Sequence, residues 1–137
     1  MNREIKFRGL TLATKEMIYG LVNKSNQPAE YDGIISNYRI ASNGENRFVI
    51  PETIGQFTGL HDKNGKEIYE GDIVDVWSAG SHLPNGIIKF GQGAAKFFIG
   101  NESNSICWNL SGGGHNYTEE NLEIIGNVFE NANLVKL

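Results

Sequence analysis

Along most of this chain apolar and polar residues alternate with a period of two, in short stretches separated by Gly, Asn and Asp. That period puts successive side chains on opposite faces of a strand. The first stretch, Arg3 to Arg8, sets Ile5 and Phe7 on one face and Glu4, Lys6 and Arg8 on the other. Leu10 to Thr14 is a short connector, and Met17 to Val22 reads as the return strand of a hairpin. Asn23 to Asp32 is polar and carries Pro28, so it reads as a loop. Ile34, Ile35, Tyr38 and Ile40 fit a strand or a short irregular segment equally well. Arg47 to Ile50 is a strand closed by Pro51.

The middle of the chain is the most informative. Gln56 to Leu60 is a strand, followed by a tight turn over Asp62 to Lys66. Within it, Asn64-Gly65 tolerates the positive φ that short hairpin turns require. Glu70-Gly71-Asp72 is a second turn, launching Ile73 to Trp77. Ala79 to Asn85 contains Pro84 and reads as a loop before the return strand Gly86 to Phe90. Gly91 to Gly93 turns the chain into Ala95 to Ile99. Ile106, Trp108 and Leu110 then alternate with Cys107 and Asn109, Gly112 to Gly114 is a loop, and Leu122 to Phe129 is the last long strand. Only Tyr117 to Leu122, which Thr118 could cap, and Asn131 to Leu137 look helical. The short strands from Phe57 onward, each with one apolar face, have the pattern of a small barrel, whose closure removes exposed edges. The expected fold is therefore mainly β with little helix. An N-terminal β lobe over residues 1–55 is expected to pack on a barrel over residues 56–137 as one compact unit.

Composition narrows the function classes. In 137 residues, 39% are hydrophobic and 20% charged, enough for a core and too apolar for a disordered chain. No apolar run approaches the roughly 20 residues needed to span a bilayer, so no membrane association is expected. The net charge of −4 opposes binding to phosphate backbones. Arg3, Lys6 and Arg8 form the only basic cluster. A lone cysteine, Cys107, can form neither an intramolecular disulfide nor a Cys-based zinc site, and it suits a reducing cytosol. The N-terminus lacks the hydrophobic stretch of a signal peptide, which adds to the expectation of a cytoplasmic protein.

Three blocks carry a resemblance. They are Arg3-Glu4-Ile5-Lys6-Phe7-Arg8, the long central run from Gly55 through Asp62-Lys63-Asn64-Gly65-Lys66 to Glu70-Gly71-Asp72-Ile73-Val74, and Ile125-Gly126-Asn127-Val128-Phe129-Glu130-Asn131. In order and spacing they resemble the YopX family of small phage and prophage proteins. The chain departs from that pattern at Leu10, where the family often has Trp, at Ala132, where it has Pro, and at His61, where Lys is common. The resemblance implies a phage or prophage origin, a C-terminal SH3-like barrel and no established molecular activity. The blocks themselves are rich in turn chemistry and packing residues, which by itself accounts for such motifs.

Candidate chemistry is sparse. Asp62, Asn64 and Glu67 look like the start of a calcium loop, but the twelve-residue ligand pattern is missing and a hairpin turn explains them better. His61, His82 and His115 sit apart with no zinc-ligand spacing. Cys107 with His115 is weak as a nucleophile–base pair. The Gly91 to Lys96 stretch lacks the Gly-Lys-Ser/Thr ending of a phosphate loop. No cofactor or metal is expected. An enzyme would need a pocket gathering Asp72, Asp75 or Glu70 with a histidine, which the sequence alone does not bring together.

Aromatics offer a better candidate. Alternation places Trp77 with Asp75 opposite Val74 and Val76, and Phe98 with Lys96 opposite Phe97 and Ile99. If the valines face the core, Trp77, Phe98 and Lys96 form a candidate partner-binding surface. The preferred expectation, however, is that residues 1–55 cover this face and bury the aromatics. The favoured function is a non-enzymatic module that binds a host or phage protein or assembles with itself. The alternative is a small barrel that binds single-stranded nucleic acid.

Overall fold

A computed structural model describes residues 4–78, 80–90, 97–100, 106–109 and 122–134. The protein is mainly β, as expected; the described residues form two antiparallel sheets and short 3-10 turns at Pro51–Thr53 and Ala132–Leu134. It divides into two compact units, Met1–Phe57 and Thr58–Leu137. None of the described helices is long and apolar enough to cross a membrane.

The first unit contains β1 (Phe7–Leu10), β2 (Met17–Tyr31), β3 (Ile34–Ser42) and β4 (Glu45–Phe48). They run in the order β4-β3-β2-β1, and the opening residues of β5 (Gly55–His61) pair on the far side of β1. The β1–β2 hairpin is present, in the register Phe7↔Gly20 to Leu10↔Met17. Its first strand begins later than the alternation suggests. Ile5 is 63% exposed, whereas Arg8 is buried. Arg8, Gly9 and Leu10 of β1 are buried one after another, so both faces of this strand are covered and alternation marks no outer side. Ile18, Ile40 and Val49 form one core cluster, and Leu10, Leu12 and Ile50 form another.

The segment 23–32 is not a loop. β2 runs through it to Tyr31 and pairs with β3, which settles the ambiguous residues 34–40 as strand. Pro28 is tolerated because the ladder opens around it. Lys24 pairs with Tyr38 and Ala29 with Ser36, so four residues on β2 oppose one on β3. The Ser25 hydroxyl donates to the Gln27 carbonyl and accepts from the Gln27 amide, and the Asn37 side-chain amide donates to the Ser25 carbonyl. Backbone groups that Pro28 and the bulge take out of the ladder are thus met locally.

In the second unit β7 (Asp72–Ser78), β8 (Ser81–Phe90), β9 (Phe97–Gly100), β10 (Ile106–Asn109) and β11 (Leu122–Asn127) pair in the order β10-β9-β8-β7-β11. Among the described residues this order is open, with no pairing that closes it into a barrel. β6 (Glu67–Tyr69) lies beside β5, the strand along which the chain enters this unit. Ile68, Val74, Val76, Ile88, Phe97, Ile99 and Leu122 form the core cluster of this unit. Each such side chain contributes about 1.5–3 kcal/mol relative to exposure. The expected loop from 79 to 85 is largely strand. β8 starts at Ser81 and absorbs Pro84 at a register shift, where Val74↔Gly86 gives way to Val76↔Leu83. Gly86 is required there, since a Cβ would run into the buried Ile99 side chain. Of the expected helical segment Asn131 to Leu137, the described residues form a 3-10 turn at Ala132–Leu134, and β11 ends at Asn127 rather than Phe129.

Candidate functional site

Three local arrangements in the second unit involve residues that the sequence singles out. The first is the turn at Asp62 to Lys66. Gly65 has a φ of 85°, as an Asn-Gly turn demands. Asp62 is buried and accepts from three backbone amides, through Oδ1 from Asn64 at 2.9 Å and Lys66 at 2.9 Å, and through Oδ2 from Ile124 of β11 at 3.0 Å. Burial alone would raise its pKa. The amides of Ile124, Lys66 and Asn64, with the Lys66 charge, outweigh that and hold it below the ordinary aspartate value. The Lys63 amide also donates to the Leu122 carbonyl, and its ammonium lies 3.4 Å from Glu123. This is turn chemistry that ties a hairpin corner to β11, not a cation loop.

The second arrangement is the block around Asn127. Its Oδ1 accepts from the amides of Phe129 and Glu130, both at 3.0 Å, while its Nδ2 donates to Glu130 Oε1 at 2.8 Å. Asn131 Oδ1 accepts from the Asn127 amide at 3.2 Å, and the Asn131 amide donates to the Asn127 carbonyl. A Cβ on Gly126 would stand 2.6 Å from Asn131 Oδ1 and 2.9 Å from its Cβ. Gly126→Ala should therefore cost about 1–3 kcal/mol by displacing Asn131, measured as a lower midpoint in urea.

The third arrangement is a chemical cluster. Trp77 pairs across the hairpin with His82, and the two rings stack at 4.6 Å with a 20° tilt. His82 Nε2 lies 3.1 Å from Asp75 Oδ1. Val74 and Val76 are fully buried while Trp77 keeps 37% of its surface exposed, against the preferred expectation of burial; Ile73 is fully buried too, so alternation shows only in the second half of β7. The structure thus brings Asp75 together with a histidine, a pairing that the sequence reading could not make. Taking residues 79–85 as a loop hid it. With Ser78↔Ser81 as a pair, Trp77 and His82 must face each other.

The remaining expected site residues fare differently. Phe98 is 1% exposed and is not part of a solvent-facing aromatic surface. β9 is buried along its whole length, on both faces, so alternation there marks no outer side. Lys96, His115, the Gly91-to-Gly93 turn, the Gly112-to-Gly114 loop and the helix start at Thr118 lie outside the described residues. Cys107 lies in β10. In the first unit, the expected basic cluster is not a free patch. Lys6 lies 3.5 Å from Glu4 and 5.4 Å above the Phe57 ring, Arg8 is buried, and Arg3 is not described. That unit also holds a cleft of about 290 Å³ lined by Leu12, Ala29, Tyr31, Arg47 and Phe48 among others. Arg47 at its rim is bound to Glu16 at 3.1 Å and to the Thr14 hydroxyl. Among the described residues no three His, Cys, Asp or Glu side chains gather as a metal site.

Residues 6–136, nearly the whole chain, match the family described as YopX protein. The chain belongs to the YopX family. This YopX protein is also similar to a solved structure, the crystal structure of protein EF1440 from Enterococcus faecalis. The two share 26% identity over 98% of this chain and 100% of that one, with a TM-score of 0.55. No curated protein matches the chain. In this YopX chain two of the family-like blocks are accounted for by the Asp62 turn, which fixes the corner between β5 and β6, and by the Asn127 knot, which closes the end of β11. The Trp77–His82–Asp75 cluster uses Trp77 and His82, which lie outside those blocks.

Proposed function

We propose that this YopX protein is a phage- or prophage-encoded, non-enzymatic interaction module that works in the host cytoplasm. It binds a protein partner, of host or phage, or a second copy of itself through the solvent side of the β7–β8 hairpin. The observation that carries this reading is Trp77, a large aromatic left 37% exposed and braced by a stacked histidine. Such rigid aromatics supply much contact area at little entropic cost and dominate binding hot spots.

The nucleic-acid reading is weaker. Among the described residues of the basic cluster Lys6 is engaged by Glu4 and Arg8 is buried, and the chain is net acidic. Capture of the tagged protein from host cells, with and without nuclease, separates the two. A protein partner that survives nuclease supports the module, and recovery only with nucleic acid overturns it. Trp77→Ala should weaken partner binding about thirtyfold, as a truncated hot spot does. It should cost at most about 1 kcal/mol of stability, the range of a cross-strand pair. A large loss of thermal stability with unchanged binding would assign Trp77 to packing instead.

A further inference from the structure

We infer that Trp77 and Asp75 together receive a basic side chain, arginine or lysine, presented by the partner protein. The inference rests on the interaction reading above and adds the partner's chemistry. Asp75 and Trp77 are two residues apart on β7, so they share a face with their Cα atoms about 6–7 Å apart. A cation can then lie within about 6 Å of the indole face while touching the carboxylate. His82 prepares both groups. Its ring stacks on Trp77 at 4.6 Å and its Nε2 engages Asp75 Oδ1 at 3.1 Å, fixing indole and carboxylate relative to each other. A carboxylate accepts up to about four hydrogen bonds, so one bond from His82 leaves capacity for an incoming donor.

The chain as a whole carries charge of the same sign as Asp75. Glu123 of β11 stands directly opposite Asp75 and is matched by Lys63 at 3.4 Å, which leaves Asp75 as the acidic group beside the indole. With the chain at −4, approach of a basic segment is favoured and approach of a phosphate is opposed.

The test uses the full-length, isotope-labelled protein, with the Trp77 indole N–H signal assigned by its loss in Trp77→Phe. The probe is a capped Gly-Arg-Gly-Arg-Gly peptide, compared with the same peptide carrying citrulline, which keeps the shape and removes the charge. The arginine peptide should shift the Trp77 signal saturably and the citrulline peptide should not. Asp75→Asn, which can still accept from His82, should weaken binding at least about fivefold with an unchanged thermal midpoint. Equal shifts from both peptides, no shift at Trp77, or an indifferent Asp75→Asn would overturn the assignment. A captured partner that needs Trp77 but ignores Asp75→Asn would remove the cation site and leave the interaction module standing. Peptide binding at Trp77 with no captured partner dependent on it would do the reverse.

Discussion

Asp62→Ala is expected to lower stability by about 3 kcal/mol, a large effect for a polar side chain of the second unit. Three amides, of Asn64, Lys66 and Ile124, lose their acceptor at once. A bond to a charged acceptor contributes about 1.5–3 kcal/mol, and a buried donor left unmet costs about 1–3 kcal/mol. The three are not additive, since an opened turn lets water reach the first two. Urea unfolding would show the loss, and the backbone signal of Ile124 would report directly on the broken tie to β11. The same residue sets an acid limit. Its folded pKa lies below its unfolded one, so the stability it contributes is complete above the unfolded value of about 3.9 and is lost as pH falls through the lower folded value. The wild-type protein should lose stability as pH falls below about 4, and Asp62→Ala should flatten that limb. An equally steep limb in the variant would place the acid sensitivity elsewhere.

Gly20→Ala should be comparably damaging in the first unit, at about 3 kcal/mol or more. A Cβ at Gly20 would coincide with the backbone carbonyl of Ala41 and press on Ile40 Cγ2 at 3.2 Å. Overpacking against side chains is often relieved by rotamer changes at about 1–3 kcal/mol, but a carbonyl held in the β2–β3 ladder has no such exit. Gly44→Ala is the useful contrast. Gly44 has a φ of 82° with open space around it, so the change brings only the left-handed penalty of about 1–2 kcal/mol. If the two variants unfolded at the same denaturant concentration, close strand approach at Gly20 would not be what holds that position.

Much of the fold was legible because strand alternation and turn residues are local signals. The β1–β2 hairpin, the Asn64-Gly65 turn and the buried face of Val74 and Val76 all follow from neighbours in sequence. What misled the reading was proline. Pro28 and Pro84 mark loops by composition, yet both lie in strands, at places where the register shifts and their missing N–H is not needed. The second miss concerned Phe98 and Arg8, where burial on both sides of a strand erases the distinction that alternation relies on. The candidate cluster was half legible. Trp77 stood out as an aromatic on the face opposite Val74 and Val76, with burial preferred over exposure, and its partnership with His82 and Asp75 needed the hairpin register, which depended on reading Pro84 correctly.

The widened stretch opposite Asn37 has a practical use. Because the β2–β3 ladder is already out of step between Lys24 and Ala29, added length there need not propagate as a phase error into either flank. An epitope inserted between Gln27 and Pro28, both exposed, would be displayed by the strands on either side while their pairing kept its phase. That gives a handle for capturing partners that sits in the other unit from Trp77 and touches neither end of the chain.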